Sequence, residues 1–158
     1  MSDQTAVHNT FVIERAYPHP VEKVFAAFAD ASTKRRWFAE GHSHDVEEFT
    51  MDFRVGGNER SAYRMGASTP FPGVPLVSEG VYLDIVPNQR IVQAAQMAIG
   101  GRRISATMVT IELLPTAAGT ELVCTHQGAF FEGADGPQMR EQGWQKLFGQ
   151  LEAELSKA

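Results

Sequence analysis

Six consecutive segments of strand character, with no helical pattern between them, constrain the fold of this chain more than any other feature. Each alternates side chains of different polarity or carries a β-branched and aromatic run, and each ends at a Gly, Pro or Asn turn signal. Consecutive strands joined by short turns pair antiparallel. The predicted strands are 45–55, 58–65, 78–86, 90–97, 103–114 and 120–127.

The segments on either side of this run supply one more strand and all the helices. Thr10–Tyr17 reads as a strand that ends at Pro18 and Pro20, because proline cannot donate to a sheet ladder. Pro20–Ala29 has helical apolar spacing, and a second short helix is predicted over Thr33–Phe38, capped by Asp30 or Ser32. A long helix follows from about Gly136 to Ser156. Its apolar stripe consists of Met139, Trp144, Leu147, Phe148, Leu151 and Leu155.

This order predicts an α+β domain of about seven antiparallel strands, with two short helices after the first strand. The last helix is the one long amphipathic element that can cover a sheet face, so the sheet must curve around it. A bent sheet cannot touch a straight helix across its whole width, and the remaining space predicts a small-molecule cavity. The chain has no linker long enough to divide it. We therefore expect one domain over residues 1–158, with its core at about 10–156.

Four stretches of sequence resemble a known family. They are VIERAYPHPVEKVFAAFADASTKRRWF, MDFRVGG, EGVYLDIVPNQRIV, and GTELVCTHQGAFF followed by EQGWQKLFGQLEAEL. In this order and spacing, over about Phe11–Leu155, they resemble the family named for the activator of heat-shock-protein-90 ATPase. That family belongs to the superfamily of START-related, birch-pollen-allergen-like and polyketide cyclase domains. The resemblance implies a helix-grip fold. It leaves function open, because this fold hosts binding, transport and cyclisation.

Composition excludes several function classes. The formal net charge of −5 disfavours nucleic-acid binding, which needs a positive surface. The densest basic cluster, Lys34 to Arg36, is predicted to be a solvated helix face. Cys124 is the single cysteine, so no intramolecular disulfide can form, and its apolar strand predicts a buried thiol. No apolar run approaches the roughly 20 residues of a membrane span, and no secretory signal is visible, so the cytoplasm is expected.

Two strands carry polar side chains that alternation places toward the interior. Glu59, Ser61, Tyr63 and Met65 share one face of strand 58–65. His126 shares a face with Leu122 and Cys124 on the last strand. These positions predict ligand contacts, with His126 and Glu59 as candidate catalytic groups.

Aromatic residues complete the predicted ligand-binding set. Trp37 and Phe38 end the second short helix at the cavity opening, and Trp144 lies on the last helix. Phe71 falls in a loop over 66–75, and Phe130 in a loop after Gly128.

Some positions remain open or have a structural explanation. One of Gln93 and Gln96 is expected to face inward, but the register of strand 90–97 is not settled by the pattern. Arg54, beside the Gly56–Gly57 bend, favours a structural bond to Asp52 over a ligand contact.

Three functions are compatible with these patterns. The first is a module that binds a hydrophobic, aromatic or lipid-like small molecule, with no cofactor. The second is a cyclase- or hydrolase-type enzyme that uses His126 with Glu59 or Tyr63, so enzyme activity stays uncertain. The third is a chaperone-linked or homodimeric interaction domain, with its surface on the outer sheet face. Alternation predicts that Tyr82, Met108 and Val123 lie on that face, and Val81, Leu83 and Ile85 inside.

No metal site is expected. His42, His44 and Asp45 are close in sequence, but they form a polar loop with only two histidines.

Overall fold

The fold is that of a computed structural model that describes residues 5–41 and 44–157. Seven strands form one antiparallel sheet, in the order β1-β7-β6-β5-β4-β3-β2. The strands are β1 Val7–Tyr17, β2 His44–Met51, β3 Asn58–Met65, β4 Pro75–Val86, β5 Arg90–Ile99, β6 Arg102–Thr116 and β7 Gly119–Phe130. The helices are α1 Val21–Ala29, α2 Ala31–Lys34 and α3 Pro137–Leu155, with a π-helical turn Arg35–Ala39 after α2.

This architecture confirms the predicted α+β helix-grip fold. Strands β2 to β7 pair in sequence order as a meander, and β1 completes the sheet beside β7. Register shifts interrupt the ladders between β2 and β3, β4 and β5, and β5 and β6. Such bulges increase local twist and bend, so they help the sheet curve around the helical layer.

The two short helices are fixed by caps and by one aromatic anchor. Asp30 caps α2, because its Oδ2 accepts a hydrogen bond from the Thr33 amide at 3.0 Å. The Trp37 indole N–H donates to the Ala27 carbonyl oxygen at 2.9 Å, and the Trp37 ring is buried. The π-helical turn is thereby held against α1.

Helix α3 packs across the concave face of the sheet. Phe148, Leu151 and Leu155 are buried in the core that α1 and the sheet share. The Tyr17 hydroxyl donates to the Phe148 carbonyl oxygen at 2.9 Å, which joins β1 to the helix. The C-terminal half of α3 is therefore core, and its N-terminal half borders the space described below.

The structure corrects three predicted side-chain orientations on β4. Tyr82 lies inside and is almost fully buried, whereas Leu83 is 48% exposed. The register shift between Tyr82 and Asp84 breaks strict alternation, so Ile85 returns to the core while Val81 and Leu83 do not. The apolar residues of β4 are thus divided between the two faces of the sheet.

Two other expectations are also corrected. Lys34 is not part of a solvated face: its side chain is only 7% exposed. Phe130 is not in a loop, because β7 continues through Gly128 to Phe130. A Cβ on Gly128 would lie 2.9 Å from the Phe130 ring, so this glycine lets the ring pack over the strand and does not end it.

Candidate functional site

A cavity of about 300 Å³ lies between the sheet and the N-terminal half of α3. Its sheet side is formed mainly by β3 to β7, and its helix side by one stripe of α3. Met139 and Gly143 are exposed at its edge, so the cavity opens to solvent beside the helix. This volume lies at the lower end of the range of small-molecule sites.

The cavity exists because the sheet beneath it carries small side chains. Glu59 on β3 pairs with Gly80 on β4, which pairs with Ala95 on β5, then Thr107 on β6 and Gly128 on β7. Residues directly opposite each other share one face of a sheet. From Gly80 to Gly128, the side chains of this row extend only a short way from the sheet, and α3 does not fill the space above them.

Larger side chains close the cavity on the core side. The next inward row across the sheet consists of Phe11, His126, Val109, Gln93 and Tyr82 on five neighbouring strands. Phe38 and Trp144 meet above this row, with ring centroids 5.9 Å apart. Behind them remains a void of about 20 Å³, room for about one water molecule.

Glu59 forms an acidic end of the cavity, and the Lys34 ammonium balances its charge. Its Oε1 accepts a hydrogen bond from Lys34 Nζ at 2.6 Å and a second one from the Tyr82 hydroxyl. Both carboxylate and ammonium are buried, so this is an interior ion pair. Burial raises the pKa of the Tyr82 hydroxyl, and the Glu59 charge adds to that effect, so Tyr82 stays a neutral donor.

Arg140 forms a basic end, on α3. Its Nε and Nη2 donate to the two carboxylate oxygens of Asp135, each at 2.8 Å. Nη2 also donates to the Ser105 hydroxyl on β6 at 3.1 Å. The guanidinium lies 5.1 Å from the centroid of the Phe130 ring. This cluster joins α3 to the far side of the sheet.

His126 lies on β7, on the Arg140 side of the cavity, in an aromatic environment. Its ring stacks on Phe11 with centroids 4.4 Å apart, and Phe130 and Trp144 lie near it at 6.2 Å. Burial and, to a smaller extent, the Arg140 charge together lower the pKa of His126 to about 4. The imidazole is therefore neutral at pH 7. Its Nδ1 is buried and has no partner among the described residues.

The structure brings together some of the residues predicted from sequence. Five of them line the cavity: Phe38, Glu59, Tyr63, His126 and Trp144. Of the two glutamines of β5, Gln93 pairs with Tyr82 and Val109 in the inward row, and Gln96 also borders the cavity.

Other predicted residues lie elsewhere. Phe71 is 59% exposed in the β3–β4 loop, and Trp37 borders only the smaller void. Phe130 is buried behind His126, and neither it nor Ser61 nor Met65 lies on the cavity wall.

Sequence reasoning missed Lys34, Tyr82, Asp135 and Arg140. Only Arg140 had a local signal: it precedes Trp144, Leu147 and Leu151 by four, seven and eleven residues, so it falls on the apolar stripe of α3.

Other expectations concern residues away from the cavity. Arg54 Nε donates to Asp52 Oδ2 at 2.8 Å on the surface, in the structural role expected for it. His42 lies outside the described residues. Within 5–41 and 44–157, no cluster of three or more His, Cys, Asp or Glu side chains could hold a metal ion. No helix in the same ranges has the length and apolar character needed to cross a membrane.

Comparison with known proteins identifies relatives of this chain. The family model described as "Activator of Hsp90 ATPase homolog 1-like protein" matches residues 18–156. A crystal structure from Rhizobium loti is 44% identical, with a TM-score of 0.85 over 96% of this chain and 99% of that one. A putative uncharacterized protein from Rhizobium leguminosarum is 36% identical, with a TM-score of 0.88 and 97% of each chain covered. An AHSA1-like protein from Aeromonas hydrophila shares the fold at 17% identity, with a TM-score of 0.68 over 93% of this chain and 92% of that one. No curated protein matches.

Proposed function

Because this chain belongs to the family of activator of Hsp90 ATPase homolog 1-like proteins, which has a ligand-binding fold in general, we propose that it binds a small hydrophobic molecule. The ligand occupies the cavity between the sheet and α3. The observation that supports this most strongly is the cavity of about 300 Å³ itself, left open above a row of small side chains.

Apolar burial supplies the affinity. Val109, Trp144 and Leu147 give the cavity apolar walls, whereas its charged groups Glu59 and Arg140 lie on opposite sides of it. At about 25 cal/mol per Å², burial of about 200 Å² of ligand surface contributes about 5 kcal/mol before ordering costs. This scale suits a ligand of two or three rings and predicts a Kd of about 0.2 mM, or weaker once ordering costs are included, for a simple aromatic compound.

The direct test is a panel of neutral aromatic and aliphatic compounds, measured by thermal shift and then by calorimetry. A ligand at 100 times its Kd raises the free energy of unfolding by about 2.7 kcal/mol. Ala95→Leu places three more carbon atoms in the cavity, because Ala95 lines its sheet side. Ala94→Leu is the matched control, since Ala94 borders a shallow depression on the opposite face of β5. We expect binding to be lost in the first variant and kept in the second.

Two results would contradict the proposal. One is the absence of stabilisation by any compound of the panel. The other is equal binding by wild type and Ala95→Leu, which would place the ligand outside this cavity.

The geometry favours binding over catalysis by His126 and Glu59. Both line the same cavity, but β7 and β3 are separated by β6, β5 and β4. Four strand spacings amount to about 19 Å along the sheet, which curvature shortens only in part. Glu59 is also bound to Lys34 and Tyr82. The two groups therefore do not converge on one reacting atom, as acid–base partners must.

The outer face of the sheet gives less support to an interaction domain. Tyr82, one of the three predicted contacts, lies inside. Met108 is exposed, but its neighbours in the same row are Gln127 and Thr10 on one side and Ala94 on the other. This row does not make the contiguous apolar patch that a stable homodimer needs.

A further inference from the structure

We infer that the cavity selects an uncharged ligand, one that carries a hydrogen-bond donor at one end and an acceptor at the other. This inference rests on the proposed function and names the ligand class of the same site. It follows from how the charged side chains around the cavity are paired, and from which of their atoms remain unpaired.

Glu59 presents an acceptor at one end. Both of its hydrogen bonds, from Lys34 and from Tyr82, fall on Oε1. Among the described residues, no hydrogen bond reaches Oε2, and Glu59 lines the cavity. A hydroxyl or amide N–H of a ligand can donate to this oxygen. A ligand carboxylate would meet a carboxylate there.

Arg140 presents a donor at the other end. Asp135 and Ser105 take Nε and Nη2, and Nη1 makes no hydrogen bond within the described part of the chain. A carbonyl or ether oxygen of a ligand can accept from Nη1. Ser105 and Glu59 lie on β6 and β3, three strand spacings apart, or about 14 Å along the sheet. We expect side chains that point inward from a concave sheet to narrow this gap to the length of a two- or three-ring molecule.

The charges around the cavity sum to zero without a ligand. Lys34 balances Glu59, and Asp135 balances Arg140. Gln93 and His126 also line the cavity and add no charge, because burial lowers the pKa of His126. An ionised ligand would leave one buried charge without a counter-charge, which is strongly unfavourable in a desolvated site. A neutral ligand avoids that cost. His44 contacts Tyr63 edge-on at the cavity wall and is, among the described residues, the other imidazole that lines it.

The test uses one ring system in four forms at pH 8, where an ordinary imidazole is uncharged. The reference compound is 2-ethylnaphthalene. The neutral donor–acceptor compound is 6-(hydroxymethyl)-2-acetylnaphthalene. The anion is 6-(hydroxymethyl)-2-naphthoate, and the cation is 6-(aminomethyl)-2-acetylnaphthalene. Calorimetry on the full chain gives the four Kd values. We expect the neutral donor–acceptor compound to bind at least about tenfold more tightly than either ion.

Four variants test the charge argument. Asp135→Asn and Glu59→Gln each leave one cation of the cavity without its partner, so each should raise the affinity for the anion relative to the neutral compound by at least about tenfold. Lys34→Met combined with Glu59→Gln removes both charges of one pair and should restore the neutral preference. Glu79→Gln is the matched control. It changes the net charge equally, but Glu79 is exposed and pairs with Arg60 on the outer face.

The outcomes separate this inference from the proposed function. If 2-ethylnaphthalene and the neutral compound both fail to bind, the proposed function fails. If they bind, but the anion or the cation binds wild type as tightly as the neutral compound, only the inference is overturned. It is equally overturned if Glu79→Gln changes the anion preference as much as Asp135→Asn. Because Asp135 is partly exposed, Asp135→Asn keeps the test available even where Glu59→Gln unfolds the chain.

Discussion

The buried ion pair between Lys34 and Glu59 gives the sharpest prediction about stability. Their charged atoms are 2.6 Å apart, and the side chains are only 7% and 5% exposed. Glu59→Gln keeps the side-chain shape and leaves an acceptor for the Tyr82 hydroxyl. It removes the negative charge and leaves the Lys34 ammonium buried near the Phe38 ring, 4.7 Å from its centroid. An aromatic ring offsets only part of that loss.

The expected magnitude follows from this geometry. Removal of one partner of a buried pair costs about 3–5 kcal/mol, because the remaining charge is desolvated without compensation. Since Glu59→Gln retains one hydrogen bond and the cation–π contact, we expect the lower end, about 3 kcal/mol. For a domain of this size that corresponds to a fall in Tm of about 6–12 °C. Urea unfolding followed by tryptophan fluorescence measures the free energy directly.

Two controls make the measurement specific. Glu79→Gln removes a carboxylate from the exposed pair with Arg60 and should cost less than about 1 kcal/mol. Lys34→Met with Glu59→Gln removes both charges and should cost clearly less than the sum of the two single variants. A cost below about 1 kcal/mol for Glu59→Gln, or strict additivity in the double variant, would refute the assignment of a buried, coupled pair.

Three further predictions follow from other parts of the molecule. Gly143→Ala should raise the free energy of unfolding by about 0.5–1 kcal/mol in a urea titration, because Gly143 is helical and a Cβ there meets nothing within 4 Å. Destabilisation by Gly143→Ala would contradict the description of this position. Gly143→Leu should weaken ligand binding, whereas Gly149→Leu, away from the cavity on the same helix, should not. The pKa of His126 falls from 6.5 to about 4 on folding, so its contribution to stability is complete above pH 6.5 and falls by about 3 kcal/mol as the pH decreases toward 4. In His126→Phe, the free energy of unfolding should vary with pH by about 3 kcal/mol less over this range. Parallel pH profiles of the wild type and the variant would exclude the effect. Burial raises the pKa of Cys124 to about 12, so a thiol reagent at pH 8 should react with it only after unfolding, and rapid labelling of the native chain would show that the strand opens.

The order of the elements could be predicted from sequence because it depends on local patterns. Strand β3 has the predicted bounds, and the inward faces of β3, β6 and β7 follow from simple alternation. Glu59 and His126 were placed inside on this basis alone. Period-2 alternation is a property of each strand by itself, so it survives whatever the neighbouring strands do.

The errors occur where a distant contact overrides the local pattern. Lys34 lies in a basic run that predicts a solvated face, but its partners Glu59 and Tyr82 come from other elements, 25 and 48 residues further along the chain. Strict alternation predicts that Tyr82 lies on the outer face, because it does not include the register shift in β4. The pattern also predicts a strand end at Gly128, but the Phe130 ring occupies the space that a side chain would need there. In each case, the orientation of the residue depends on contacts that its local sequence pattern does not include.

The polar clusters also explain why α3 does not close onto the sheet. Lys34 on α2 reaches Glu59 on β3, and Arg140 on α3 reaches Ser105 on β6, so each cluster bridges the helical layer and the sheet at one end of the cavity. To collapse onto the row of small residues between them, α3 would have to break the bond between Arg140 and Ser105 and leave buried polar groups unpaired. That cost exceeds the gain from closing the space, since an unpaired buried charge costs several kcal/mol and the rigid ladders of the sheet cannot follow the helix. The groups that hold the cavity open are thus the same groups that set its charge balance. A variant that neutralises both clusters with apolar residues should therefore lose cavity volume as well as selectivity, and a crystal structure of that variant measures the first effect independently of any ligand.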